Sequence, residues 1–245
     1  IKASHQVELY DEELNCEPYK KIGIKTLKPF KINRNINKAI NQISEINKKI
    51  LDSKLFPITL GGEHSITPGC IKPFVKKYKN LTLLHFDAHA DLRESYNREK
   101  FSHASAIKRC LDHNNVSVVS FGIRNISAEE ITILNKNNKR ISIYWAKDKK
   151  KWDLKKFNKL IKNKDVYITF DVDGLDSSIM PATGTPEPGG ILWDEALEII
   201  RIACKNSRIV GADVNELAPI KGFNSYNFLV AKLVYKILSY KFLLK

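Results

Sequence analysis

Short apolar runs that alternate with segments of helical period are the feature of this sequence that most restricts its fold. Each run has the length of a buried strand, and most of the intervening segments repeat their apolar residues at helical spacing. The runs cover residues 56–60, 81–87, 116–121, 141–145, 165–171 and 207–214. Strands separated by helices predict a mostly parallel central sheet with helices on both faces, which is a three-layer α/β/α fold.

Clusters of polar residues follow five of these runs, at the point where each run ends. A single Asp or His in such a position is more often a helix cap than part of a site. Five clusters in corresponding positions are harder to explain as caps, because the carboxyl ends of parallel strands meet at one edge of the sheet, where ligands bind. The clusters read GGEHS, DAHAD, GIRN, DVDGLD and DVNELAP.

In two of these clusters, side chains of the type that bind metals occupy every second position. Asp87, His89 and Asp91 end the stretch LTLLHFDAHAD, and Asp171 and Asp173 end DVYITFDVD. In an extended backbone, residues at positions i, i+2 and i+4 point to the same face, so these side chains converge. Carboxylates that close together repel unless a proton or cation lies between them. No Lys or Arg within these motifs supplies the charge, so two divalent cations are predicted.

The type of ligand restricts the metal and the reaction. A set of oxygen and imidazole ligands without thiolate favours Mn²⁺ over Fe, Co, Ni or Zn. A pair of such ions lowers the pKa of a shared water enough to give hydroxide at neutral pH, so hydrolysis is the predicted reaction class. The carboxylates balance the two cations, and the hydroxide leaves the site slightly negative, which suits a cationic substrate.

Three blocks of the sequence together resemble the signature motifs of the ureohydrolases, the family of arginase and agmatinase. The blocks are GGEHS, FDAHAD and FDVDGLD, the last of them followed by MPATGTPEPGG. They occur in the family's order, and the resemblance covers most of the chain. It implies an arginase/deacetylase-like α/β/α fold in a single ureohydrolase domain over residues 1–245. This domain is short at its N-terminus, where the family's first strand is expected to be missing.

The resemblance also implies a ligand set for two Mn²⁺ ions. Asp87 and Asp171 are expected to bridge both ions, His64 and Asp91 to complete the first site, and the remaining two residues to complete the second. The metal ligands implied in this way are His64, Asp87, His89, Asp91, Asp171 and Asp173.

Four residues are implied to act on a substrate. Glu216 matches the family's glutamate that pairs with a guanidinium, and His103 matches a histidine that relays protons to the leaving amine. Asp91 would take the proton that this amine needs after a metal-bridging hydroxide attacks the guanidinium carbon. Thr185 would contact the substrate indirectly. Without the resemblance, Glu216 could simply be an acid at a helix N-terminus, and a surface histidine is an equally good interpretation of His103.

The stretch between Asp91 and His103 decides which guanidino compound is expected. SHAS followed by KR at residues 108–109 resembles agmatinases more than arginases, so agmatine, cleaved to urea and putrescine, is the leading substrate. Arginine, guanidinobutyrate and formiminoglutamate remain open, and Arg93 or Arg98 could hold a substrate carboxylate. A non-catalytic, metal-binding relative that acts as a regulatory subunit also remains open.

A formal net charge of +14 raises the question of nucleic-acid binding. The densest basic stretch, residues 147–164, has apolar residues at roughly helical spacing with lysines between them, which is typical of a helix with a solvated face. Lysines are spread along the whole chain, and few Arg or aromatic residues are interleaved with them. A nucleic-acid-binding protein is therefore the weakest hypothesis, and no nucleic-acid partner is predicted.

The remaining expectations concern location and assembly. No long apolar segment of the signal-peptide kind is present near the N-terminus, so the cytoplasm is the expected location. Lys232, Lys236 and Lys241 interrupt the apolar C-terminal run and predict an amphipathic packing helix rather than a membrane span. The four cysteines form no CxxC pair and are expected to be reduced. The family resemblance implies a homo-oligomer, either a trimer or a hexamer.

Overall fold

The computed structural model describes residues 1–244, and a parallel β-sheet forms its centre. The strands are β1 (Ile58–Leu60), β2 (Leu81–Phe86), β3 (Val116–Phe121), β4 (Ile141–Tyr144), β5 (Asp165–Asp171) and β6 (Arg208–Asn215). Across residues 1–244 the strand order is β1-β6-β5-β2-β3-β4, and every neighbouring pair in the sheet is parallel. Each strand lies within one or two residues of a predicted apolar run, so the predicted parallel sheet is confirmed.

Helices cover both faces of the sheet, and the sheet separates two hydrophobic cores. The α-helices are α1 (Pro18–Ile22), α2 (Ile36–Asp52), α3 (Thr67–Lys77), α4 (Ala106–Leu111), α5 (Ala128–Lys136), α6 (Leu154–Ile161), α7 (Trp193–Asn206) and α8 (Ser225–Leu243). One core packs α6, α7 and α8 against β-strand residues such as Phe86 and Phe170, and the other packs α2, α3, α4 and α5 against residues such as Leu83. This arrangement confirms the three-layer α/β/α architecture.

The register of the sheet aligns the carboxyl ends of its central strands. Phe86 at the end of β2 pairs with Phe121 on one side and Phe170 on the other, and Phe170 pairs in turn with Val214. The Phe86 and Phe170 rings stack with centroids 4.6 Å apart. The polar clusters that follow these strands therefore begin at the same height along the sheet, directly after a row of packed aromatic rings.

The basic stretch at residues 147–164 is not one helix. A 3₁₀ turn covers Ala146–Lys151, and α6 begins only at Leu154. Between them Asp153 caps α6, because its side chain accepts a hydrogen bond from the backbone N–H of Lys156 at 2.9 Å. An Asp at a helix N-terminus favours a new start over continuation of the preceding turn. The helical spacing of the apolar residues therefore holds only from Leu154 onward.

The C-terminal helix α8 differs from the predicted amphipathic pattern at Lys236, which is buried rather than solvated. Its Nζ lies 3.0 Å from Asp11 Oδ2 and 3.1 Å from Glu13 Oε1, and Asp11 is buried as well. Tyr240 of the same helix donates a hydrogen bond to Glu13 at 2.7 Å. Lys236 therefore links the N-terminal segment to α8 through these ion pairs.

In residues 1–244 no helix is both long and apolar enough to cross a membrane.

Lys236→Met is expected to lower the free energy of unfolding by about 3–5 kcal/mol, because it leaves the buried Asp11 carboxylate without its cation. Urea denaturation followed by tryptophan fluorescence would measure the loss. Lys232→Met, on the same helix, is the matched control and should change stability much less. Equal losses in the two variants would show that the ion pair contributes nothing beyond the side-chain packing.

Candidate metal centre

The structure brings the six predicted metal ligands together at the carboxyl edge of the sheet. His64 begins a short 3₁₀ turn, His64–Ile66, in the loop after β1. Three more ligands follow β2 in the DAHAD segment, and Asp171 and Asp173 lie at the end of β5 and in the turn after it. Five of the six are buried, and the His89 side chain is 27% exposed. The site therefore opens to solvent on the side of His89.

Backbone N–H groups fix one oxygen of each of three carboxylates. The donors are His89 to Asp87 Oδ1 at 2.6 Å, Asp173 to Asp171 Oδ1 at 2.9 Å, and Ala88 to Asp173 Oδ1 at 3.0 Å. The second oxygen of each carboxylate then faces a histidine. Because each bond comes from the backbone of the two ligand segments themselves, the loop conformation orients the carboxylates.

The surroundings of His64 give the strongest indication of a bound cation. Its Nδ1 lies 3.0 Å from Asp87 Oδ2, 3.1 Å from Asp91 Oδ2 and 3.4 Å from Asp171 Oδ2. This nitrogen is fully buried and makes no hydrogen bond to any described residue. A buried polar atom that faces three carboxylate oxygens without a hydrogen bond fits a cation bound among them. Oxygen and imidazole donors are also the set that Mn²⁺ and similar ions accept.

His89 and Asp173 form the other half of the cluster. His89 Nδ1 lies 3.0 Å from Asp173 Oδ2 and 3.5 Å from Asp87 Oδ1, and ligand atoms of these three residues are close enough together to hold one ion. Asp87 therefore turns one oxygen toward His64 and the other toward His89. A carboxylate that bridges two ions requires this arrangement.

The ionisable groups of the cluster strongly shift one another's pKa values. Burial together with the neighbouring Asp87 raises the pKa of Asp91 to about 7, and burial with Asp173 and Asp87 raises that of Asp171 well above its usual range. Burial lowers the pKa of His89, but Asp173 and Asp87 outweigh it and bring the value to about 11. These groups hold protons near neutral pH that a bound cation would displace.

Binding of Mn²⁺ is therefore expected to strengthen as the pH rises from 6 to 8 and to release protons. The direction follows from the raised pKa values of Asp91 and His89, because a protonated ligand cannot bind the ion. Titration calorimetry in two buffers with different ionisation enthalpies would measure both the affinity and the number of protons released. An affinity that is constant across this range, or stronger at pH 6, would contradict the assigned ligands.

Two residues other than glycine, at the ends of loops in the site, adopt left-handed backbone conformations. Asp91 has φ +52° and Glu216 has φ +64°. The Asp91 carbonyl accepts a hydrogen bond from Lys108 N–H at 2.9 Å, and Glu216 N–H donates to the Gly62 carbonyl at 2.7 Å. Such conformations cost on the order of 1–3 kcal/mol each and are concentrated at functional sites. Their occurrence at two predicted catalytic residues supports a functional role for this edge.

Glycine is required where two ligand loops meet. A Cβ on Gly174 would lie 2.6 Å from the backbone nitrogen of Asp87, inside any permitted contact. The DVDG segment therefore approaches the DAHAD segment only because residue 174 lacks a side chain.

The predicted substrate residues lie at the rim of the cluster. Glu216 Oε1 accepts a hydrogen bond from His64 N–H at 2.6 Å, and Thr185 Oγ1 donates to Asp173 Oδ2 at 3.2 Å. His103 is 49% exposed, and its Nδ1 lies 3.0 Å from Glu63 Oε1. The contact with Glu63 raises the pKa of His103 above its ordinary value. Glu63 was missed by the sequence reasoning, although it stands next to His64 in GGEHS.

His85 is a second residue that the sequence reasoning missed. Its Nε2 lies 2.8 Å from Asp87 Oδ2 and its Nδ1 lies 3.0 Å from Ser120 Oγ. Burial lowers the pKa of His85, so the neutral ring donates to Asp87 and accepts from Ser120. His85 is close enough to join a metal group with His64 and Asp87, but both of its nitrogens already have partners and it is better placed to orient Asp87. The alternation that singled out Asp87 extends back to His85 and could have indicated it.

Arg124, in the GIRN segment, is the third missed residue and binds the backbone around Asp173. Its guanidinium donates hydrogen bonds to carbonyls of the segment that follows β5 and to the carbonyl of Gly122, which directly follows β3. The accepting carbonyls and distances are Glu187 (2.6 Å), Asp173 (2.8 Å), Gly122 (3.0 Å), Pro188 (3.0 Å), Leu175 (3.2 Å) and Gly174 (3.4 Å). Arginine suits this position because its planar fork has five donors in fixed directions. Nothing in the local pattern distinguishes it from a surface arginine.

The fold and the site together define a class of protein, the three-layer α/β/α proteins with a cluster of His and Asp metal ligands at the carboxyl ends of parallel strands. The Arginase family model matches residues 1–239. This chain belongs to the arginase family.

Individual relatives agree with the family match. An N(1)-aminopropylagmatine ureohydrolase of Synechocystis sp. is 32% identical over 250 residues, which covers 98% of this chain and 80% of that protein. An agmatinase of Bacillus anthracis is 39% identical over 197 residues, 76% of this chain, and the match spans only 63% of the Bacillus protein. The crystal structure of a putative agmatinase from Clostridium difficile superposes with a TM-score of 0.86 at 30% identity, covering 98% of this chain and 87% of that one.

Proposed function

We propose that this chain is a single-domain hydrolase with two Mn²⁺ ions that cleaves agmatine to urea and putrescine. The observation that supports it most directly is the buried His64 Nδ1 facing the oxygens of Asp87, Asp91 and Asp171. The relatives named as agmatinase and as N(1)-aminopropylagmatine ureohydrolase support a guanidino substrate. The ligand residues in this proposal are His64, Asp87, His89, Asp91, Asp171 and Asp173.

Bound divalent ions would supply positive charge and lower the pKa of water, so that hydroxide is available near neutral pH. The residues of the chain do the remaining work. Glu216 is held by the backbone N–H of His64, and its carboxylate suits the planar, permanently charged guanidinium. A guanidinium bound by Glu216 would have its central carbon next to the metal cluster.

Proton transfer to the departing amine falls to Asp91 and His103. Asp91 lies within the cluster and would accept the proton of the attacking hydroxide and deliver it to the departing nitrogen as the C–N bond breaks. His103 stands at the exposed rim, and Glu63 favours its protonated form, which suits donation to an amine that leaves toward solvent. Thr185 would hold Asp173 in place rather than touch the substrate.

Agmatine is favoured over guanidino acids because of the surroundings of Arg93. Its guanidinium carbon lies 5.5 Å from the centre of the Tyr96 ring, and its Nε lies 3.9 Å from Glu130 Oε2. A guanidinium already partnered by an aromatic ring and a carboxylate is a weak binder for a second carboxylate. Agmatine has no carboxylate, so it needs no such partner.

Urea release from agmatine, arginine and guanidinobutyrate by the Mn²⁺-loaded protein tests the proposal, with Asp173→Ala as the inactive control. Urea from agmatine, lost in the control, is the expected result. Urea from arginine or guanidinobutyrate instead would change the substrate and retain the reaction. Two bound Mn²⁺ ions with no urea from any of the three would favour the non-catalytic, regulatory alternative.

We extend the proposal to assembly, on the family resemblance alone, and to location, as expected from the sequence. The protein would work in the cytoplasm as a homo-oligomer, a trimer or hexamer. Size-exclusion chromatography with light scattering would give the number of subunits.

A further inference from the structure

The loop of residues 92–101, between the DAHAD and SHAS segments, is fixed at its base. Leu92 N–H donates a hydrogen bond to Glu130 Oε1 at 2.9 Å, and Arg93 N–H donates to the Ala104 carbonyl at 3.1 Å. The second of these bonds holds the two ends of the loop together. The position of the loop tip is therefore set by the turn that the tip itself forms.

The loop tip is a two-residue hairpin turn without glycine. Tyr96 and Glu99 exchange backbone hydrogen bonds at 3.0 and 2.8 Å, and between them Asn97 has φ +49° and Arg98 has φ +64°. Two successive left-handed residues are typical of a type I′ turn, for which asparagine followed by glycine is the favoured sequence. An arginine in the second position is strained, and strain of this kind is concentrated at functional sites.

The turn brings the Tyr96 ring against the ring of His103. The ring centroids lie 5.6 Å apart with an interplanar angle of 62°, which is an edge-to-face contact. His103 begins the 3₁₀ turn His103–Ser105, which packs against the turn His64–Ile66 at the metal cluster. Because His103 Nδ1 lies 3.0 Å from Glu63 Oε1, the other ring nitrogen, Nε2, remains for the substrate.

We propose that Tyr96 is a positioning residue that holds the His103 ring in the orientation from which it protonates the leaving amine. The inference rests on the proton-relay role proposed for His103. A hydrogen bond to Glu63 at one nitrogen still allows the imidazole to tilt, and the contact with the Tyr96 ring limits that tilt. Orientation matters for the rate because a general acid must lie within hydrogen-bond reach of the atom that it protonates.

Burial in the core does not account for the place of Tyr96. Its side chain is 40% exposed and belongs to neither hydrophobic core. The ring contacts His103, and the Arg93 guanidinium carbon lies 5.5 Å from its centre. An exposed ring contributes little to the fold by its own burial. Its contribution therefore lies in the orientation of the polar groups that it contacts at the rim of the site.

Turnover of agmatine by the Mn²⁺-loaded full chain tests this role. Tyr96→Leu removes the ring and should lower kcat about 10- to 100-fold while KM changes less than about 2-fold, because an oriented acid acts in the transition state. Tyr96→Phe retains the ring and should restore the wild-type kcat. A rise in KM with kcat unchanged would overturn the inference, because Tyr96 would then bind the substrate itself.

Two substitutions of Asn97 test the turn without altering either ring. Asn97→Pro fixes φ at about −65°, which excludes the left-handed conformation, so it should lower kcat as Tyr96→Leu does. Asn97→Gly permits that conformation and should retain the wild-type kcat. The same kcat in both variants would contradict the inference, because the turn would then not position Tyr96.

A double-mutant cycle separates the orientation of His103 from support of the loop. In a His103→Asn background, Tyr96→Leu should cause no further loss of kcat, because the group that it orients is absent. The same loss in both backgrounds would overturn the inference. Tyr10→Leu is the matched control, since Tyr10 is an exposed tyrosine whose hydroxyl lies 3.3 Å from Asn15 Oδ1, and it should leave kcat unchanged.

Modification of His103 by diethyl pyrocarbonate, followed by mass spectrometry, tests the contact without turnover. Tyr96→Leu should raise the rate at His103 severalfold and leave the rate at His113, in the loop after α4, unchanged. An unchanged rate at His103 would overturn the inference. If the wild-type protein releases no urea, the proposed function fails, and the modification rate still decides whether Tyr96 holds His103. If urea is released but neither kcat nor this rate depends on Tyr96, the inference fails and the proposed function stands.

Discussion

Asp87→Asn is expected to abolish urea release from agmatine, lowering kcat/KM by about 1,000-fold or more at fixed Mn²⁺ concentration. Asp87 lies between the two halves of the cluster, with Oδ2 toward His64 and Oδ1 toward His89. Asparagine keeps the shape of the side chain and can accept the N–H of His89, but it is neutral and cannot bridge two cations. The variant should therefore fold normally and fail to hold the pair of ions.

Metal content and melting temperature would be measured beside activity to separate loss of the ions from loss of the fold. Asp165→Asn is the matched control, because Asp165 begins β5 at the opposite end of the sheet and pairs with Arg208. It should retain two Mn²⁺ ions and full turnover. If Asp87→Asn also retained both, the bridging role of Asp87 would be wrong.

Much of the fold was predictable because the strands are buried on both faces. All residues of β2 and most residues of β3 and β5 are buried. Such strands appear in a sequence as short continuous apolar runs. The convergence of Asp87, His89 and Asp91 follows from the alternation of side chains along a strand, which is a local property. Both kinds of signal lie within a few neighbouring residues.

The parts that could not be predicted depend on contacts between distant segments. Arg124 resembles any surface arginine until the loop at Glu187 and Pro188 is placed against it. Lys236 matches a solvated helix position, and only the fold shows that Asp11 and Glu13 lie opposite its ammonium. A sequence pattern contains the residue types but not these pairings.

The same distinction applies to the surroundings of His64. GGEHS marks the histidine as a candidate ligand, but the polar residues behind its ring, Thr169 and Asp213, come from β5 and β6, more than 100 positions away. Asp213 lies in the cluster DVNELAP, in which the sequence reasoning selected only Glu216. Both acidic residues adjoin His64, one through its backbone and one through Thr169.

Glu216→Gln should lower kcat/KM for agmatine about 100- to 1,000-fold while both Mn²⁺ ions remain bound. The Glu216 side chain accepts the backbone N–H of His64 at 2.6 Å, and the glutamine amide oxygen can retain that bond. The amide lacks the negative charge that pairs with a guanidinium, so the loss should fall on the substrate and not on the metal centre.

Steady-state kinetics with agmatine, together with Mn²⁺ titration of the same preparation, separates these two effects. Burial raises the pKa of Glu216 in the free protein, and a bound guanidinium would favour its ionised form, so the glutamine variant should also lose the pH dependence that this carboxyl imposes on kcat/KM. Glu187→Gln, at the exposed loop held by Arg124, serves as the control and should leave both measurements unchanged. If Glu216→Gln lost its Mn²⁺, or turned over agmatine at the wild-type rate, Glu216 would support the His64 loop instead of binding the substrate.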